Sequence, residues 1–570
     1  MGVRDFKDAN FVWPRTVAEV CEVVQRVARA GGRLRVRGSQ HSDAPAVYTD
    51  GFDPVAGPQP NDAGVTNLIL DELRAVSVTP GELIVEAGRH IGADPYGDPP
   101  VNQEGESLVG ALNALGLSLP ALGGISHQAL GGFLSTGSAG GSTWHDPADA
   151  VSWLRFVDGS GALQRVERGT DAFDAAIASL GLFGVLVEVG FNTDPLRGPA
   201  LPRRYDLKMH SRVCRVADWK ENAAPFDWYA PGALEGFFKQ HEYARVLWWP
   251  QPLVDKVQIW TGARAVYDDK VPRQPYQNLA PWQQTLAGFF YRHLLGTGID
   301  QDLDAVHDGS AAHHDKLAGL ASAVAAEPLF HESLERLALA HALPLLLAPG
   351  MPGSSLQRDA LTAELRKNLD EQQARLQASG QHATLREHLV AALINLFIRD
   401  EDQPDLYDDW HKGLPHDNQI DDDKMPVIFT ECWVELSRAH EVMQELRRLF
   451  DAHRLAATGT LCVEIYPAKA RAAWLSPAHE VEVVRVDPFV FWIDETTRQT
   501  AVEHFFPLYW QALQRFDYRN HWGKVLDPGP AAVALRHRAF PKLGAFKRLR
   551  ERYDPRGIFL NRYWRERLGI

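Results

Sequence analysis

Two small-residue stretches concentrate the groups able to hold a ligand. Arg37-Gly38-Ser39-Gln40-His41-Ser42 follows the alternating run Arg33-Leu-Arg-Val-Arg, so an imidazole sits in a loop at a strand end. The second runs from Gly123 to Ser142 and contains Gly131-Gly132, Ser135-Thr136-Gly137-Ser138 and Gly140-Gly141-Ser142. Glycine is dense there and large polar side chains are few, so backbone N–H groups can approach a ligand closely. Loops of this kind form anion-binding nests without a lysine. Neither stretch matches G-x-G-x-x-G at a strand-to-helix turn or G-x-x-x-x-G-K-[ST], which disfavours a nicotinamide-type Rossmann site and a P-loop. Each alone also reads as a tight turn; two in one region favour a binding site.

Other reactive residues carry weaker patterns. His313-His314 and Asp421-Asp-Asp423 lack a ligand set of known geometry, and no metal is expected. His411, His416, Asp417 and Asn418 precede an apolar strand and are candidates to line a cavity. Cys21, Cys214, Cys432 and Cys462 have no C-x-x-C spacing, so neither a zinc site nor a disulfide framework is indicated, and a reducing, cytoplasmic compartment fits.

The elements that must position these residues follow from periodicity. Val20, Val23, Val24 and Val27 recur at helical spacing between Val17 and Ala30, and Gly31-Gly32 ends that helix. Strands are predicted at Arg33–Arg37, Val65–Leu70, Ala75–Val78, Leu83–Ala87, Val151–Val157, Leu163–Val166 and Gly184–Phe191, with helices at Leu108–Leu115 and Ala172–Leu180. Beyond Pro195 come strands at Val246–Trp249, Val257–Thr261, Val427–Glu435, Thr460–Ile465 and Val481–Val486. An Ala/Leu-rich helical tract spans about 281–399.

The chain has 570 residues, 45% of them hydrophobic, enough for a large core and two or three domains. Lys+Arg 59 against Asp+Glu 73 gives −14, which excludes a net basic field for nucleic acid. The N-terminus lacks a secretory h-region, and the apolar run Leu337–Ala348, interrupted by His341 and Pro344, is too short to span a membrane.

Arg37-Gly-Ser-Gln-His41-Ser, Leu83-Ile-Val-Glu-Ala-Gly88, Gly123–Ser142 and Leu182-Phe-Gly-Val-Leu-Val-Glu-Val resemble the FAD-binding domain of vanillyl-alcohol-oxidase-type (PCMH-type) flavoproteins. Cys462-Val-Glu464-Ile-Tyr466, Trp474-Leu-Ser-Pro, His521-Trp-Gly-Lys524 and Asp554-Pro-Arg-Gly-Ile-Phe-Leu-Asn561 resemble the sugar-lactone and alditol oxidases, the group of D-arabinonolactone and L-gulonolactone oxidases. The resemblance covers roughly 8–265 and 425–570; the tract between looks like an insertion. It implies an α+β fold: a FAD-binding domain at 1–198, a substrate domain with a large antiparallel sheet at 199–495, and a segment, 496–570, that returns to close the site.

The same resemblance makes His41 the attachment point of a covalent flavin. Arg37, Gly38, Ser39, Gln40, His41, Ser42, Gly132 and Ser135 to Ser142 (Ser135, Thr136, Gly137, Ser138, Gly140, Gly141, Ser142) would hold FAD, with Val185 and Val187 beneath it. Glu464, Lys524, Tyr466 and His521 would form the substrate side. Tyr466 departs from the family's Glu-x-Arg, and a phenol cannot reproduce a guanidinium's charge. Gly123 falls at the family's oxygen-gating position, and a residue without Cβ implies open access. The implied activity is oxidation of a CH–OH group of a sugar lactone, alditol or related polyol, with O2 reduced to H2O2. Two alternatives stand beside it: a bulkier alcohol, sterol or aromatic, or a non-oxygen acceptor; and a flavin-retaining protein without catalysis.

Overall fold

The computed structural model describes residues 10–50, 64–94, 104–277, 398–415, 426–492 and 495–570, with isolated positions between. Most of the helical tract at 281–399, the run Leu337–Ala348, His313-His314, Asp421–Asp423 and His416–Asn418 lie outside the described residues.

Helix α1 (Val17–Arg29) starts where Thr16 Oγ1 accepts from the Glu19 N–H at 3.2 Å, and its Val20, Val23, Val24 and Val27 face the core. Gly31 takes a left-handed φ of +67°, which turns the chain into the next strand. Strands β1 (Phe11–Val12), β2 (Arg33–Arg37) and β3 (Val65–Ile69) make a parallel sheet of order β1-β3-β2. Strands β4 (Val76–Thr79), β5 (Glu82–Glu86), β6 (Val151–Asp158), β7 (Leu163–Glu167) and β8 (Gly184–Asn192) make an antiparallel sheet of order β4-β5-β8-β6-β7.

A nine-stranded antiparallel sheet among the described residues forms the second layer. Its members are β9 (Tyr205–Arg215), β10 (Tyr243–Trp249), β11 (Lys256–Val266), β12 (Glu401–Asp409), β13 (Val427–Phe429), β14 (Cys432–Glu435), β15 (Thr460–Ala468), β16 (Val483–Phe491) and β17 (Arg519–Asn520). The order is β12-β9-β11-β10-β15-β16-β14-β17, with β13 also paired to β16. Along the central strands the period-two pleat separates two chemistries. Val246, Trp248, Val463, Ile465, Val484, Val486, Cys432 and Val434 enter one apolar core with Val442, Met443 and Leu446 of helix α2 (Ala439–Thr458). Among the intervening positions, Arg245, Trp433, Glu464, Tyr466, Arg485 and Asp487 are charged or aromatic, and Arg485 reaches the Ala139 carbonyl of the second glycine-rich loop.

The C-terminal segment ties back onto the first loop. Asp554 accepts from the N–H groups of Ile558 and Phe559 at 2.9 and 3.0 Å, shaping a turn whose Ile558 carbonyl takes the Leu34 N–H at 2.7 Å. Asn561 Nδ2 donates to the Pro45 and Tyr48 carbonyls, and Trp564 Nε1 to the Ala46 carbonyl. The motif Asp554–Asn561 is therefore a clamp on the segment after His41. Among the described residues no helix is long and apolar enough to cross a membrane.

Candidate active site

A cleft of about 770 Å³, mouth included, opens where β2 ends. One wall is Gly38, Ser39, Gln40, His41 and Ser42; the other is Ala129, Gly131, Gly132, Phe133, Ser135 and Thr136. Gly38 permits their approach, because a Cβ there would lie 2.8 Å from Ala129 Cβ. At Gly132 a Cβ would meet nothing within 4 Å, so that position is open to a ligand. Gln40 takes a positive φ of 60°, and its Oε1 accepts from Tyr48 Oη at 2.7 Å and Arg37 Nη1 at 3.2 Å. Arg37 is thus a brace behind the loop and does not line the cleft.

Ser39 Oγ and His41 Nε2 are buried with no protein hydrogen-bond partner. Buried polar atoms are nearly always satisfied, so both fit a group that the cleft receives. The His41 ring meets His127 edge to face, centroids 4.1 Å apart. Burial, then the neighbouring His127, Lys524 and His90, holds its pKa well below the ordinary imidazole value. The ring is neutral, so one of its two nitrogens carries a nucleophilic lone pair.

The second loop divides. Its first part lines the cleft; from Ser138 onward it docks on the large sheet. Gly140 and Gly141 press against the carbonyls of Leu122 and Ala244, where a Cβ would sit 2.5 and 2.8 Å away. Ser142 Oγ donates to the Glu242 carbonyl and accepts from the Trp144 and His145 N–H groups. Gly137, at φ +72°, turns the chain between the two parts. Gly123 packs on Phe133, whose ring carbon would lie 2.9 Å from an added Cβ. Val185 and Val187, expected beneath a cofactor, do not line the cleft. Both are buried with α1 and β2, while Gly184 and Leu186 of the same strand line the cleft, because successive strand residues face opposite ways.

The large sheet meets the cleft through the loop after β17. The Asp43 N–H donates to the Gly523 carbonyl at 2.9 Å, and Lys524 Nζ rests 3.9 Å over the Phe429 ring. His521 Nδ1 accepts from the Gly523 N–H at 3.0 Å and Nε2 lies 3.5 Å from Ser138 Oγ; burial pushes its pKa down to about 4, so it too is neutral.

Register gathers the remaining groups on one face. Tyr466 stands opposite Arg485, and Arg485 opposite Trp433. One step along the same face, Glu464 stands opposite Asp487, and the His521 N–H donates to the Glu431 carbonyl at 3.0 Å. Glu464 pairs with Arg245 of β10, both buried. Arg485 makes a wider set of contacts. Its Nε donates to Glu431 Oε1 at 2.6 Å, Nη1 to the Ala139 carbonyl at 2.9 Å and Nη2 to Tyr466 Oη. Its guanidinium stacks 3.7 Å over the Tyr466 ring and 4.5 Å over Trp433. The charge that Tyr466 removes from β15 is therefore present one strand away. Burial would raise the Glu431 pKa, but Arg485, His521 and Lys524 outweigh it and hold the carboxyl below its ordinary value.

Glu431, Arg485, Arg245 and His127 were not singled out from sequence. The signal was a charged residue inside an apolar strand, as in Val483-Val-Arg485-Val and Ala244-Arg245-Val, since a buried charge requires a partner. His411 lies beside Asp409 at 3.6 Å and is not part of this face. Among the described residues no group of three or more His, Cys, Asp or Glu is placed to hold a metal, and the four cysteines are free.

Residues 420–567 match the D-arabinono-1,4-lactone oxidase family. The chain is 25% identical over 303 residues to D-arabinono-1,4-lactone oxidase of Saccharomyces cerevisiae, covering 52% of this chain and 48% of that protein. It is 25% identical over 278 residues to L-gulonolactone oxidase 2 of Arabidopsis thaliana, covering 46% and 40%. The chain thus spans about half the length of the curated relatives it matches. Cholesterol oxidase from B. sterolicum superposes with a TM-score of 0.56 at 14% identity, over 98% of this chain and 94% of that one. A solvent-stable cholesterol oxidase gives 0.57 at 13%. The chain is accordingly similar to the D-arabinono-1,4-lactone oxidases, with the family match at 420–567, and it has the fold seen in cholesterol oxidase.

Proposed function

We propose that the protein is a FAD-dependent oxidase of a CH–OH group in a sugar lactone, alditol or related polyol. The observation that carries this reading is the meeting of a cleft holding two orphaned polar atoms, Ser39 Oγ and His41 Nε2, with a buried charged sheet face. The residues fit the cofactor. Backbone N–H groups of the two loops would hold its diphosphate, and Ser39 would add a hydroxyl. His41 would bond the flavin covalently, since a neutral imidazole can attack an activated ring methyl. FAD when bound accepts the hydrogen and electron pair of the alcohol carbon. Domain limits at 198 and 495 follow from the same assignment.

The chain's own groups do the rest. Lys524, Arg485 and Arg245 supply positive charge around a hydroxyl and around a reduced cofactor, while Glu464 and Tyr466 shape the face against it. Steady-state peroxide release on alditols, aldonolactones, aromatic alcohols and sterols tests the reading. Turnover is expected on a polyol or lactone; turnover on sterols or aromatic alcohols alone would replace that substrate class.

A further inference from the structure

Resting on this oxidase reading, the geometry points to Glu431 as the catalytic carboxylate that receives the proton of the substrate hydroxyl. Three observations converge on it. First, Glu431 is 1% exposed, and its two oxygens differ: Oε1 takes the Arg485 Nε–H at 2.6 Å, whereas Oε2 is buried with no protein hydrogen-bond partner among the described residues. A buried carboxylate oxygen without a donor is costly, and a substrate O–H is the donor that would satisfy it.

Second, its place is right. The loop after β17 joins it to the first glycine-rich loop: the His521 N–H donates to the Glu431 carbonyl at 3.0 Å, and two residues on the Gly523 carbonyl accepts from the Asp43 N–H at 2.9 Å, two residues after His41. Arg485 also donates to the Ala139 carbonyl, which fixes the carboxylate against the second glycine-rich loop. Third, the two carboxylates of the site are engaged differently: Glu464 meets Arg245 through Oε1, whereas the Glu431 pair with Arg485 uses Oε1 and leaves Oε2 for a further donor. The groups acting on Glu431 are Tyr466 of β15, Arg485 of β16, and His521 and Lys524 from the loop after β17.

The step balances. The substrate O–H bond would break with its proton passing to Glu431 Oε2, while FAD, when bound, would take the carbinol hydrogen with two electrons as C=O forms and would return them to oxygen.

The test is anaerobic stopped-flow bleaching of the FAD-loaded protein, wild type against Glu431→Gln and Glu431→Asp, using the alcohol that wild type oxidises. Glu431→Gln keeps the shape and removes the base. Its bleaching by substrate is expected to slow by about 10²–10⁴-fold, while the flavin spectrum and bleaching by dithionite stay unchanged. Glu431→Asp, which keeps the charge and shortens the reach, is expected to fall between. Bleaching of Glu431→Gln within threefold of wild type would overturn the assignment and leave the oxidase reading intact. If Glu431→Gln fails to retain FAD, Glu431→Asp decides: a loaded protein bleached at the wild-type rate refutes the role. Failure of every alcohol to bleach wild type would defeat the oxidase reading, and this inference with it.

Discussion

Replacing Arg485 by Met tests the electrostatic core of the site. Arg485 is 4% exposed and its guanidinium serves Glu431, the Ala139 carbonyl and Tyr466 Oη while stacking on Tyr466 and Trp433. Met fills similar volume but leaves Glu431 buried without its cation. Breaking a buried pair from one side costs about 3–5 kcal/mol. The orphaned Ala139 carbonyl and Tyr466 hydroxyl add about 1–3 kcal/mol each when no water reaches them, though such penalties overlap and do not sum. The double variant Arg485→Met with Glu431→Gln removes the stranded charge and is expected to recover about 2 kcal/mol or more of that loss. Urea unfolding of the four members of the cycle, all loaded with flavin, measures this coupling. A loss below about 1 kcal/mol for Arg485→Met, or a double variant less stable than the sum of the singles, would refute the pairing.

His41→Ala should abolish any flavin that survives denaturation, read as loss of the FAD increment in intact mass, while noncovalent binding through the loops persists. Gly123→Ala forces the Phe133 ring to move, because the new Cβ would fall 2.9 Å from it; a destabilisation of about 1–3 kcal/mol and slower reoxidation of the bleached flavin by air are expected in unfolding and stopped-flow measurements. His521 is neutral in the native protein, with its pKa lowered from 6.5 to about 4 by burial. The unfolded chain then binds the extra proton first. The stabilisation is fully present above pH 6.5 and is lost as pH falls toward 4, amounting to about 3 kcal/mol. Urea midpoints of wild type should therefore drop more steeply between pH 6.5 and 4 than those of His521→Asn.

Much of this arrangement was legible in the residues. The valine spacing gave α1, the alternating arginines gave β2, and the glycine density marked both loops, because each is a local signal carried by a single segment. The strands around Glu464 and Arg485 were legible as strands for the same reason. What lay beyond the sequence was register. That Arg485 stands across from Tyr466, and Glu431 beside His521, depends on how separate strands pair, and no local period encodes it. Hence Tyr466 reads in isolation as a lost guanidinium, whereas the sheet supplies one from β16. The valines of β8 show the reverse case. Sequence places that strand under the cofactor, but only the fold decides whether its odd or even residues face the cleft.

Anaerobic mixing with alditols and aldonolactones, followed by admission of air, tests the central claim most directly. The account predicts that a polyol or lactone bleaches the flavin in a single turnover and that air restores the colour with one peroxide released per flavin. Bleaching that air does not reverse, or a flavin that no CH–OH compound bleaches, would contradict it.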